Sequence, residues 1–255
     1  MNNTVVRIIR YIIKNNWPIM WLPKIGEAFF YQIFQRTSNS LLSKKLFNGK
    51  KIILFPKCNV SSLFIYSDFP DKKEIFLLRK MADKNTVFFD IGANIGSYSI
   101  MMADKVKDVY AFEPYPLSFE RAKMNFLLNG MDESKVINKA LSNVNSKVYF
   151  SDMKDNLTEN KIVKTRCNSI MIEAVKLDDW IKNNKFNRRS KYLVKIDVEG
   201  HEKEVFEGGK KFFKNYPIIG IIFESFDSKI LMKYLKDLDY RVKKISDNNY
   251  WAKKN

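Results

Sequence analysis

The chain has 255 residues, room for one α/β domain with an appendage, and at 45% hydrophobic with 20 Phe and 12 Tyr it can fill a sizeable core, which argues against wholesale disorder. Two cysteines and one histidine leave too few ligands for structural zinc of the usual four-ligand kind. The formal charge of +17 favours anionic partners (nucleic acid, acidic lipid, nucleotide-linked sugars) without choosing among them, and a surplus of solvated lysines is the plainer account.

In chain order, residues 4–16 (TVVRIIRYIIKNN) have a helical period, with Val5, Ile8, Ile9, Ile12 and Ile13 on one face and Arg7, Arg10 and Lys14 on the other. Trp17 and Trp21 follow. Such a helix suits the surface of an anionic membrane, or equally the surface of its own domain. More helix is expected over residues 25–47, then short strands in KKIILFP (50–56) and SLFIYS (62–67). Residues 1–80 hold fourteen basic against four acidic residues, so they are expected to form a distinct basic region for acceptor binding or membrane attachment. No uncharged run is long enough to span a bilayer and no signal-peptide pattern is present, so a cytoplasmic protein, peripheral at most, is expected.

From residue 81 onwards the pattern becomes regular. Strand TVFFDIG (86–92) leads to helix 97–106, strand DVYAFEP (108–114) to helix 116–130, and KVINKAL (135–141) and KVYFS (147–151) follow. IMIEAVKL (170–177), KYLVKIDV (191–198) and PIIGIIFES (217–225) are further strands, with helices over 201–213 and 227–238 and a closing strand pair. Strands alternating with helices predict βαβ units in a mostly parallel sheet, with ligands at the strands' C-terminal ends.

Two loops and a strand end carry chemistry. In DIGANIGSY (90–98) Gly92 and Gly96 permit a tight turn and close approach to a ligand, and Asn94 tolerates left-handed backbone. The loop lacks the glycine spacing of a dinucleotide fingerprint and the Gly-Lys-Ser/Thr of a P-loop, and Asp90 at its start suits a ligand with a positive centre. Glu113 ends the second strand, where a carboxylate can accept from two ribose hydroxyls. Together these describe a nucleoside bearing a cation, as S-adenosylmethionine does. In KIDVEGHE (195–202), Asp197, Glu199 and the chain's one histidine, His201, cluster at the end of a strand.

VFFDIGANIGSYS, AFEPYPLSFERAKMNFLLNG, LDDW and VKIDVEGHEKEVFEGG strongly resemble the FkbM family of S-adenosylmethionine-dependent methyltransferases, over roughly residues 83–225. The resemblance implies a class I, Rossmann-like methyltransferase: a seven-stranded, mostly parallel sheet flanked by helices, its last strand antiparallel, here with a helical or mixed N-terminal extension. It implies O-methylation, often of sugar hydroxyls. It also implies that Asp90, Gly92, Ala93, Asn94 and Gly96 shape the methionine side of the cofactor pocket, that Glu113 holds the ribose, and that Lys139, Ala140 and Leu141 lie by the adenine.

Asp197, Glu199 and His201 then face the acceptor. His201 is a candidate base, with Asp197 or Glu199 orienting it. Alternatively the three hold a divalent cation, magnesium or manganese, that lowers the pKa of the acceptor hydroxyl, or they cap the following helix. Glu202 and Glu204 are expected on a solvated face, and Glu224 is a weaker site candidate. RNA methylation and a silent binding module are the rival functions. No RNA-recognition motif supports the first, so the expected partner is an anionic or sugar-containing acceptor and not nucleic acid.

Overall fold

The computed structural model describes residues 3–38, 40–152, 160–164, 166–225, 228–246 and 248–255. Helices α1 (Asn3–Asn15) and α2 (Trp21–Thr37) lead into a hairpin of β1 (Leu42–Lys45) and β2 (Lys51–Leu54), then α3 (Asn59–Tyr66) and α4 (Lys72–Met81). The regular part follows as β3 (Thr86–Ile91), α5 (Ser97–Met102), β4 (Asp108–Phe112), α6 (Pro116–Leu128), β5 (Val136–Ile137) and β6 (Ala140–Leu141). Next come β7 (Ser146–Ser151), β8 (Ile162–Val163), β9 (Ser169–Val175), α7 (Leu177–Asn183) and β10 (Lys191–Ile196). The chain closes with α8 (Glu202–Gly208), α9 (Lys210–Asn215), β11 (Ile218–Glu224), α10 (Ser228–Asp237), β12 (Tyr240–Lys244) and β13 (Asn249–Lys254).

Seven strands pair in the order β12-β13-β11-β10-β3-β4-β5, all parallel except β13, which runs against both its neighbours. This is the class I methyltransferase sheet expected from the sequence. Its central strands are nearly continuous apolar runs because both faces are covered by helices. The alternation along them sorts side chains to two cores. Phe88, Leu193 and Ile222 point to one face, against Ile75, Ile100 and Phe126 of α4, α5 and α6. Phe89, Val194 and Ile221 point to the other, against Ile181, Phe206 and Phe212 of α7, α8 and α9. Phe89 sits in an aromatic nest, its ring centroid 5.4–6.2 Å from those of Tyr110, Phe112, Trp180, Phe186, Tyr192 and Phe212.

Several elements differ from expectation. SLFIYS is helix: Val60, Phe64 and Leu63 recur at helical spacing, and Ser61 is buried with its Oγ accepting the Phe55 N–H at 3.0 Å. Tertiary packing overrides the strand preference of its β-branched and aromatic residues. The helix expected over 25–47 ends at Thr37, and 42–45 is a strand of the hairpin. KVINKAL is not one strand. Its first pair belongs to the large sheet, and Ala140–Leu141 cross to a second sheet of order β6-β9-β7-β8. Helix 201–213 is broken at Gly209, where the backbone departs from helical geometry. Side chains on both sides of residue 80 share one core, from Tyr31 and Ile52 to Phe88 and Leu193. Among the described residues no helix is long and apolar enough to cross a membrane.

Candidate active site

The C-terminal ends of β3, β4 and β10 open on a cavity of about 200 Å³. Gly92, Ala93, Asn94 and Glu113 line one part of it, Lys139, Ala140 and Leu141 a second, and Asp197, Glu199 and His201 a third. Asp90 and Gly96 stand behind this surface. The fourth wall comes from the first 80 residues: Val60 and Leu63 of α3, with Asp71.

The loop after β3 is shaped by two left-handed glycines, Gly92 at φ +75° and Gly96 at φ +78°, with Asn94 at φ +52° between them. The Gly92 and Ala93 N–H groups both donate to Phe112 O at 3.0 Å. A Cβ on Gly92 would lie 1.8 Å from the carbonyl oxygen of Asp197, so the β3 and β10 loops touch only because that side chain is missing. Asp90, wholly buried, accepts from the Ser99 N–H at 2.9 Å and the Ser99 hydroxyl at 2.7 Å. It therefore anchors the first turn of α5 and holds the loop from beneath.

Lys195 lies opposite Asp90 in the parallel register of β10 and β3. Its buried ammonium donates to Gly92 O at 2.8 Å and stands 3.7 Å from Asp90 and 3.3 Å from Asp197. Burial works against its charge, but Asp197 and Asp90 outweigh that and raise its pKa above the ordinary lysine value. The sequence offered a signal for this residue: a lysine at an interior position of the apolar strand YLVKI must find a buried partner.

Glu113 is buried, and each carboxylate oxygen already accepts a backbone N–H, Asn94 at 2.7 Å and Tyr115 at 2.9 Å. Burial nevertheless pushes its carboxyl up to about 7. The Lys139 ammonium turns outward to Glu173 at 2.6 Å.

On the other side of the loop, acid concentrates. Oxygens of Asp197, Glu199 and Glu224 lie within 4.8 Å of one another. Burial, Asp197 and then Glu199 push the Glu224 carboxyl up to about 8, so at neutral pH it holds a proton that it shares with Asp197 through a hydrogen bond. Asp71 opens onto solvent, yet the surrounding walls and Glu74 raise its carboxyl to about 6, while it accepts from the Tyr98 hydroxyl. Asp71 and Tyr98 escaped the sequence reading, and Glu224 is more central than it suggested.

His201 is not part of the acidic trio; Glu224 takes the place given to it in the expected cation set. Its Nε2 lies 2.9 Å from Ser142 Oγ and its Nδ1 3.5 Å from Glu204 Oε2. The carboxylate beside the imidazole is thus Glu204, not on a purely solvated face as expected. Burial lowers the His201 pKa more than Glu204 and Glu207 raise it. Glu202 also departs from expectation: it is buried and accepts the Val198 N–H at 3.2 Å and the Gly200 N–H at 3.1 Å. It clamps the turn in which Glu199 (φ +55°) and Gly200 (φ +94°) are left-handed.

A hexuronic acid methyltransferase of Haloferax volcanii, AglP, is 30% identical over 136 residues, 52% of this chain and 54% of that protein. An uncharacterized protein of Methanocaldococcus jannaschii, MJ1452, is 33% identical over 70 residues, 28% of this chain and 27% of that protein. The chain thus spans about half the length or less of these curated relatives. Among solved structures, an rRNA methylase from Streptococcus thermophilus superposes with a TM-score of 0.46 at 13% identity, covering 73% of this chain and 97% of that one. TrmK of M. capricolum in complex with S-adenosylhomocysteine gives 0.41 at 15% identity, covering 71% and 66%. The Methyltransferase FkbM domain model matches residues 90–242, more than half the sequence and the C-terminal ends of β3, β4 and β10, and the chain belongs to that methyltransferase family.

Proposed function

We propose that this protein transfers a methyl group from S-adenosylmethionine to a sugar hydroxyl. The observation that carries the reading is the acid lining of a cavity in a strongly basic protein. Asp197, Glu199 and Asp71 line it, Glu224 stands against the first two, and the buried Lys195 ammonium lies 3.3 Å from Asp197. Such a wall attracts a sulfonium and hydrogen-bonds hydroxyls, and it repels a carboxylate or a phosphodiester. The haloarchaeal relative's hexuronic acid supports a sugar acceptor, and the acid wall favours a neutral hydroxyl of it. The same wall opposes RNA, for which the net charge alone would speak.

The residues present fit the cofactor. The Gly92 backbone, bare of a side chain, leaves room for close approach. Glu113 is fixed by two N–H groups with lone pairs to spare for ribose hydroxyls. When bound, S-adenosylmethionine supplies a methyl carbon on a positively charged sulfur. The chain's own part is alignment: Asp197 and Glu199 orient the acceptor oxygen, and the Lys195 ammonium, 3.3 Å from Asp197, holds that carboxylate in place. His201 is the proton acceptor. Glu204 faces Nδ1, so Nε2 is the basic nitrogen; the acceptor hydroxyl takes the place of the Ser142 hydroxyl that lies 2.9 Å from it, and the lowered pKa keeps the ring neutral at physiological pH.

The test is calorimetry with S-adenosylhomocysteine, followed by transfer of radiolabelled methyl to fractionated glycans. Binding together with label on base-stable glycan ethers is the expected result. No cofactor binding would sink the proposal, and label lost as methanol in mild base would redirect it to a carboxylate. A His201→Asn protein that binds S-adenosylhomocysteine normally, with turnover down about 100-fold, is expected. Undiminished turnover would make the histidine structural.

A further inference from the structure

The first two helices carry an apolar surface that nothing in the described structure covers. On α2, Lys24, Ala28 and Tyr31 recur at helical spacing and are buried. The opposite side of the same helix carries Leu22, Phe29, Phe30 and Ile33, 82%, 62%, 73% and 42% exposed. Helical spacing puts these four on one stripe, without an ionisable group inside it. Trp17 and Ile19, in the turn leading into α2, are 76% and 85% exposed. A helix and the turn before it do not keep six large apolar side chains on a water-exposed side without an occupant.

Charge selects the occupant. Arg7, Arg10 and Lys14 on α1 and Arg36 at the end of α2 are exposed on the same two helices. The acids of the first 70 residues, Glu27 and Asp68, are both drawn into ion pairs with the buried Lys24 ammonium, at 2.8 and 2.6 Å, and Lys44 also pairs with Asp68 at 3.0 Å. The outward field of this layer is therefore positive. Two copies meeting through it would set arginine against arginine, whereas an anionic lipid surface offers headgroups to the arginines and acyl chains to the aromatic and aliphatic stripe.

We infer that α1, the Trp17–Met20 turn and α2 form a docking face for the surface of an anionic bilayer. The face is joined to the cavity through one helix. Tyr66 of α3 is gripped from the residue that follows α1 and from α2: its carbonyl accepts from Asn16 at 2.8 Å and its hydroxyl from Gln32 at 2.7 Å. Val60 and Leu63 of that same helix line the cavity. The docking holds whatever reaction the cavity performs; its use, holding the cavity beside a lipid-carried acceptor, rests on the methyl-transfer reading.

Flotation of the full chain with vesicles tests it, using equal parts phosphatidylcholine and phosphatidylglycerol against phosphatidylcholine alone. The protein is expected to float with the anionic vesicles and about ten-fold less with the neutral ones. A Phe29→Ser/Phe30→Ser variant is expected to lose about ten-fold in vesicle affinity while keeping its S-adenosylhomocysteine affinity. Leu22→Ser/Ile33→Ser probes the same stripe independently, and Arg7→Gln/Arg10→Gln should abolish the preference for anionic lipid. The inference is overturned if the wild type does not float with anionic vesicles, or if both serine variants float as well as it does. It is also overturned if the protein sediments as a dimer that the serine variants dissociate. Loss of S-adenosylhomocysteine binding in every protein, with flotation intact, would instead count against the methyl-transfer reading alone.

Discussion

At the scale of the residue, two contacts make the site. Gly92 stands where the β3 and β10 loops meet, in a backbone conformation that side-chain-bearing residues rarely adopt. Gly92→Ala has both faults at once, a strained φ and a Cβ 1.8 Å from Asp197 O, far inside van der Waals contact. It is expected to cost about 3 kcal/mol or more in chemical denaturation and to abolish S-adenosylhomocysteine binding. A variant that binds normally would show that the loops separate at little cost. Glu224 is the second contact. Its carboxyl is raised from 4.5 to about 8, so the folded state prefers the protonated form. That preference stabilises the fold fully below about pH 4.5 and is lost as pH rises towards 8. Glu224→Gln, neutral at every pH, escapes the loss. Its Tm is expected to match the wild type near pH 4 and to exceed it at pH 9, and a constant difference across that range would refute the shared proton.

At the scale of the element, the glycines at the end of α8 are as particular as those of the cofactor loop. A Cβ on Gly208 would lie 1.9 Å from Ser142 O, just beyond β6. The close approach brings Ser142 to His201. Gly208→Ala should push helix and strand apart, destabilise the protein by about 1–3 kcal/mol and lower turnover, read by denaturation and by initial rates. The elements most legible in the sequence were those whose apolar runs fill both faces of the sheet, β3, β4, β10 and β11, with the loops that follow them. DIGANIG, Glu113 and KIDVEGHE could be placed because their chemistry sits at strand ends, where topology leaves little freedom. SLFIYS was misread because a helix buried on two sides has no clean period and its residues favour strands. The split of KVINKAL was hidden because a two-residue strand carries no pattern at all. Asp71 left no local trace: it reaches the cavity through the packing of α3 and α4, a long-range event. Glu202 and Glu204 read as a solvated pair because charge is visible in sequence, whereas the N–H groups and the imidazole they serve are not.

At the scale of the whole molecule, positive charge lies outside and acid lines the cavity. A formal charge of +17 repels itself, and salt screens exposed charges far more than buried ones. Added sodium chloride at about 0.5 M, where the Debye length is only a few ångströms, is therefore expected to raise Tm while weakening association with anionic vesicles. A Tm that falls with salt would show that ion pairs such as Arg79–Asp104 and Lys191–Asp83 outweigh the repulsion.

The aromatic nest around Phe89 has an optical consequence. Trp180 lies edge-on to Phe89 and Phe112 at 6.0 and 4.8 Å, half-buried against the sheet's second core, whereas Trp17 stands mostly exposed in the turn between the outer helices. The two indoles therefore emit from different surroundings, one shielded and one wet. With Trp21 and Trp251 replaced by Phe, melting of the sheet will shift Trp180 emission to the red, and seating on a bilayer will shift Trp17 emission to the blue. The chain carries its own two-colour reporter, which separates melting of the sheet from seating of the outer helices on a bilayer.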